Sequence, residues 1–159
     1  GDVALEHHDQ AIEFLQSINA LRPQPDALSL ADASEACFSL TTHAERIEQR
    51  LQQLAAIATD DEIDREMVEF MGSMVQPAFE RERAELRQWA ARDKLDMHAD
   101  LPREDRCLSP SDFGFHNALL QDDGSLRFVD FEYAGWDDPA KLVGDFFCLT
   151  VHRDLGAPT

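Results

Sequence analysis

The sequence predicts an α+β protein that is predominantly helical. Apolar residues recur at helical spacing through residues 1–98. After residue 105 two short β-prone runs flank a strong turn signal. No apolar run approaches the length of about 20 residues that a membrane-crossing helix needs. The 159 residues suffice for one domain with its own core. It reads as helical over 1–98, as a loop and hairpin over 105–132, and as a further loop and helix over 133–152.

The helices follow from spacing and punctuation. From Asp9 to Leu21, Ile12, Leu15 and Ile18 share a face with Phe14 and Leu21 beside them, and Pro23 and Pro25 end the helix. Residues 26–40 are mixed and read as a loop or a short helix. Thr42-His43-Ala44-Glu45 fits a capping box, and the helix after it carries Ile47, Leu51, Leu54 and Ile57 or Ala58 on one side. Thr59-Asp60-Asp61-Glu62 marks the next start, with acidic groups where the helix dipole favours them. Ile63, Met67, Phe70, Met71 and Met74 then recur at helical spacing, and Pro77 is expected to kink or restart the helix, which continues through Phe79, Leu86 and Trp89. The Met67, Met71, Met74 stripe is read as core packing. The His7-His8 pair is read as solvent-exposed.

Asn117-Ala118-Leu119-Leu120-Gln121 and Leu126-Arg127-Phe128-Val129-Asp130 are strand candidates joined by Asp122-Asp123-Gly124-Ser125. A polar, aromatic loop is expected from Glu132 to Pro139. A last helix is expected to begin near Pro139, carrying Leu142, Val143, Phe146 and Phe147.

Composition bounds the function. The net charge of −18 argues against nucleic-acid binding and suits cationic substrates or metal ions. Cys37, Cys107 and Cys148 are odd in number and far apart, so neither a disulfide framework nor a zinc site is indicated, and a cytoplasmic location is expected. The opening Gly1-Asp2-Val3-Ala4-Leu5-Glu6 lacks the pattern of a secretory signal. Only two lysines, Lys94 and Lys141, and seven scattered glycines are present, and no phosphate-cradling glycine motif runs through them.

The chemistry-bearing residues gather at the hairpin. If Gln121 pairs with Leu126, then Leu120 faces Arg127, Leu119 faces Phe128 and Asn117 faces Asp130. Opposed residues have Cβ atoms roughly 4.5–5.5 Å apart. An amide oxygen and a carboxylate so placed suit one Mg²⁺, which takes one or two carboxylates plus substrate phosphates. Asp112 lies five residues before Asn117, in a loop marked by Pro110 and Gly114. From there a carboxylate can orient an attacking hydroxyl and take its proton. Alone, an Asp-x-x-x-x-Asn pattern also fits turn and cap residues. His116, next to Asn117, is expected to point to the opposite face of the strand. Trp136 either lines a cleft or packs the loop.

Ser109-Pro110-Ser111-Asp112-Phe113-Gly114-Phe115-His116-Asn117, followed by Asp130-Phe131-Glu132, resembles the aminoglycoside phosphotransferase and choline-kinase-like superfamily, which has the protein-kinase fold. That resemblance covers about residues 105–148. It implies the catalytic C-terminal lobe of an ATP- and Mg²⁺-dependent kinase acting on a hydroxyl of a small molecule, aminoglycoside-like or another amino-sugar or amino-alcohol. By it, Asp112 matches the catalytic aspartate, and Asn117 and Asp130 match the residues that hold metal and cofactor. Glu132 to Pro139 resembles the segment after the metal-binding triplet, and Asp145 resembles a buried aspartate that braces the catalytic loop. Pro110 stands where the family loop has His, which keeps a non-catalytic, pseudokinase-like binding or regulatory module as the alternative. The nucleotide-covering loop and lysine of the smaller lobe are not found. The resemblance thus implies that Gly1 to Glu6 lies just past the hinge, that the chain ends early at Thr159, and that this lobe alone transfers no phosphate at a useful rate.

Overall fold

The structure is a computed structural model that describes residues 5–154; the readings of Gly1–Ala4 and of Thr159 fall outside them. The chain is α+β and mostly helical, with two small antiparallel ladders. Among the described residues no helix is long and apolar enough to cross a membrane. The chain divides into two compact units, residues 5–37 with 101–154, and Phe38–Asp100. The change of character near residue 100 coincides with the second boundary. The first helices, however, belong with the C-terminal segment.

In the first unit, α1 (Leu5–Asn19) is followed by the short α2 (Pro25–Leu28), which Pro25 opens with its fixed φ. Strand β1 (Cys107–Ser109) pairs with β4 (Gly135–Asp137), and β2 (Ala118–Leu120) pairs with β3 (Leu126–Phe128). Helix α6 spans Pro139–Asp154. Strand β4 lies inside the stretch expected as loop. Gly135, Trp136 and Asp137 are all buried, and three residues are too few to show alternation. Trp136 also bridges Asp32, its N–H donating to Ala31 O at 3.0 Å and its carbonyl accepting from Ala33 N–H at 2.9 Å. The core gathers Ala11, Cys107, Phe113, Leu142 and Phe146, with Phe14, Leu15, Phe115 and Phe128 packed against it. A smaller cluster joins Ala27, Leu108 and Trp136. On α1 the buried residue is Ala11, whereas Ile12 is exposed. His8, read as exposed, is half-buried and meets the Phe115 ring edge-on at 5.1 Å.

The second unit carries α3 (Leu40–Ala55), α4 (Glu62–Phe70) and α5 (Gln76–Asp93). The capping box sits three residues earlier than expected. Ser39 is the N-cap, its hydroxyl accepting from Thr42 N–H at 3.1 Å, while Thr42 Oγ1 accepts from Ser39 N–H at 3.0 Å. Helix α4 starts within the acidic run the sequence marks, with Asp61 as its N-cap. Met71–Val75, between α4 and α5, is a π-helical turn. The ring of Pro77 crowds the carbonyl four residues before it, and a widened turn relieves that clash. Of the methionine stripe, Met67 and Met71 are half-buried and Met74 is exposed, so the stripe is only partly core.

Candidate functional site

The segment after β1 is shaped by alternating anchors. Phe113 is buried, stacking on Phe14 at 5.7 Å and on Phe146 at 5.4 Å, with Phe128 at 4.8 Å. Phe115 packs against His8 and Phe146. These rings fix the loop from beneath and leave Asp112 outward, its side chain 56% exposed. Before it, the Asp112 N–H donates to Pro110 O at 3.1 Å around Ser111, whose φ is 71°. That is a γ-turn of the rare, strained sort. Ser109, whose Oγ accepts from Ser111 N–H at 3.0 Å, braces it.

Asp112 and Asn117 are brought together. Asn117 Nδ2 donates to Asp112 O at 2.9 Å and to its Oδ2 at 3.3 Å. His116 Nε2 lies 3.0 Å from Asp112 Oδ1. The expectation that His116 points away from this group is corrected: Phe115–Asn117 is a 3₁₀ turn, not the start of a strand, so both side chains reach back to Asp112. The i,i+4 spacing of Asp112 and His116 was the available signal for this contact.

The hairpin register differs by one residue from the expected one. The pairs are Ala118 with Phe128, Leu119 with Arg127 and Leu120 with Leu126. Gly124, at φ 83°, takes the left-handed position of a three-residue loop. Gln121 N–H then donates to Ser125 O at 2.9 Å, and Gly124 N–H to Gln121 O at 3.0 Å. The Val129 N–H bonds Asn117 O at 3.0 Å, so the ladder sets Asn117 against Val129, not Asp130. Asp130 follows at the same end of the hairpin, exposed, with a left-handed φ of 66°.

Asp145 is 40% exposed, and its bond runs to Lys141, whose Nζ lies 2.8 Å from Oδ2, instead of to the loop around Asp112. The buried aspartate of this region is Asp137, fully enclosed, which sequence reasoning left unmarked. Its Oδ1 accepts from Asp138 N–H at 2.8 Å and Cys37 N–H at 3.4 Å, and Lys141 Nζ lies 3.2 Å from Oδ2. Burial alone would lower the Lys141 pKa, but the hydrogen bond to Asp145 and the charge of Asp137 outweigh it and raise it. Burial, with the charges of Asp137 and Asp138, pushes the Cys107 thiol up to about 11. Cys37 and Cys107 are both buried, and the Cys148 side chain lies outside the described ones. Trp136 packs instead of lining the Asp112 surface: it is buried, and Nε1 donates to Ala27 O at 2.9 Å.

Among the described residues, no three His, Cys, Asp or Glu side chains form a metal-binding group. At the hairpin end the residue after Val129, the partner of Asn117, is the exposed Asp130. Asn117 spends its Nδ2 on Asp112, so its Oδ1 is the atom that could accept from a donor or hold a cation. One amide oxygen and one carboxylate suit Mg²⁺ that also holds phosphate oxygens. Comparison with protein-family models, with curated proteins and with solved structures finds no match.

Proposed function

We propose that this chain is the catalytic lobe of a kinase-like phosphotransferase that moves the γ-phosphate of ATP to a hydroxyl of a small molecule. The observation that carries it is the Asp112 carboxylate, held outward on a strained turn and bonded to Asn117 at the open end of the hairpin. Backbone strain of this sort costs about 1–3 kcal/mol per residue and clusters at functional sites. Of the three described non-glycine residues with positive φ, Lys94 is the left-handed C-cap of α5, whereas Ser111 and Asp130 flank the Asp112 cluster.

Asp112 orients the acceptor hydroxyl and takes its proton as the oxygen bonds to the γ-phosphorus and ADP leaves. Asn117 and Asp130 would hold Mg²⁺, which positions the phosphates and offsets their charge. The nucleotide-covering loop and its lysine then come from a second lobe, and the 159-residue chain by itself turns over no ATP.

A second reading, a binding module without turnover, has specific support. Pro110 replaces the loop histidine of the family, and both Asp112 carboxylate oxygens are already engaged. Radiolabelled transfer from ATP with Mg²⁺ to a panel of alcohols, using a polypeptide that carries both lobes, separates the two. Transfer that falls about 10²–10⁴-fold in Asp112→Asn supports the kinase. Nucleotide binding without transfer to any alcohol supports the module.

A further inference from the structure

Beside the Asp112 loop lies a cavity of about 720 Å³. It is formed wholly within the unit that carries the candidate site. Its size falls in the range of about 300–1,000 Å³ typical of small-molecule sites. One wall is Phe14 and Ile18 of α1 with Leu21 in the turn after it. The facing wall is Leu108, Ser109 and Pro110, with Phe131 and Gly135 closing it, so it abuts both the Asp112 turn and the Asp130 segment. The wall is built, not collapsed loop. A Cβ on Gly135 would come 2.5 Å from Ala31 O and 2.6 Å from Ala33 N, so this backbone is locked in place. Leu21, Leu30 and Phe131 remain 53%, 47% and 44% exposed around the cavity, an apolar rim left open by the described residues. Among the lining residues Asp26 is the one charged side chain.

We infer that this cavity holds the body of the phosphate acceptor, and that the acceptor is an apolar, ring-bearing alcohol with a single cationic group. The inference rests on the phosphotransfer function and narrows its substrate class. A polyhydroxylated, multiply charged amino sugar has the wrong surface for these walls: its hydroxyls and ammonium groups would lose water against Leu, Ile and Phe without replacement partners. An apolar ring system gains from the same walls, while one amine meets Asp26. The hydroxyl is then directed past Pro110 toward Asp112.

The test is binding to the 159-residue chain, followed by amide chemical shifts and calorimetry, with three probes: a naphthyl amino-alcohol, the same naphthyl alcohol without the amine, and glucosamine. The amino-alcohol is expected to bind at least tenfold tighter than glucosamine and to shift the amides of Leu30 and Gly135. Asp26→Asn should weaken the amino-alcohol severalfold and leave the neutral alcohol unchanged. Ala134→Trp, which fills the cavity from its exposed edge, should weaken both, with an unchanged circular dichroism spectrum showing that the fold is kept. Equal or tighter glucosamine binding, or naphthyl probes that leave Leu30 and Gly135 unmoved, overturns the inference. The same panel is then given to the two-lobed enzyme. Transfer to glucosamine but not to the naphthyl amino-alcohol sinks the substrate class and leaves phosphotransfer standing. Cavity binding with transfer to no alcohol at all sinks the acceptor role together with the kinase reading.

Discussion

At the scale of single residues, the site is a balance between anchoring and strain. Phe113 and Phe115 are tied into the aromatic core, and Ser111 between Pro110 and Asp112 carries the positive φ. Glycine adopts that conformation without steric cost, so Ser111→Gly should raise stability by about 1 kcal/mol. Urea unfolding measures this directly, and a lowered midpoint would mean that the Ser109 to Ser111 contact outweighs the strain. Residue types and spacing mark Asp112, Asn117 and Asp130 in the sequence, and the structure joins Asn117 to Asp112 but sets it against Val129, not Asp130, in the ladder. The His116 contact was not legible, since it depends on a 3₁₀ turn where alternation suggested a strand. Asp137 was missed for a related reason. Between Trp136 and Asp138 it reads as one more polar loop residue, and only the β1–β4 pairing encloses it.

At the scale of elements, Gly135 shows how β4 is held. It faces Ser109 across the ladder and sits against the backbone of Ala31 to Ala33. Gly135→Ala would force backbone apart at 2.5–2.7 Å, which no side-chain rotation relieves. The expected loss is about 1–3 kcal/mol, whereas Gly72→Ala, in the π turn with open space around it, should cost nothing measurable. Thermal unfolding of the two variants side by side checks this, and equal melting temperatures would contradict it. The long helices were legible from apolar spacing, the start of α4 from its acidic run, and the break at Pro77 from its ring chemistry. Strands β1 and β4 were not, because three residues are too few for periodicity and, unlike β2 and β3, they are joined by no turn signal. The hairpin itself was legible but its register was not. Asp122-Asp123-Gly124-Ser125 permits a three- or four-residue loop, and the left-handed Gly124 selects the shorter.

At the scale of the whole molecule, 32 acidic groups face 14 lysines and arginines. Most carboxylates therefore have no cation to pair with, whatever the fold. Two opposing electrostatic effects follow, and salt tells them apart. Local pairs, such as Arg83 with Glu48 at 3.0 Å, weaken as salt rises and would lower stability. General self-repulsion among the excess carboxylates is also screened, which raises stability. Exposed pairs are worth only about 0–1 kcal/mol each, and 14 cations cannot offset 32 acidic groups, which leaves a net charge of −18. Repulsion should win. The Debye length falls from about 30 Å at 10 mM to about 8 Å at 0.15 M ionic strength, so most of the change should occur within that window. A gain of about 1 kcal/mol corresponds to roughly 2–4 °C for a chain of this size. Melting curves of the 159-residue chain in 10 mM and 150 mM NaCl should thus differ by a few degrees, with the higher value in salt. A flat or falling trend would show that the acidic surface is organised into compensating pairs, and the attraction of cationic ligands to Asp26 and Asp112 would then lose its long-range component.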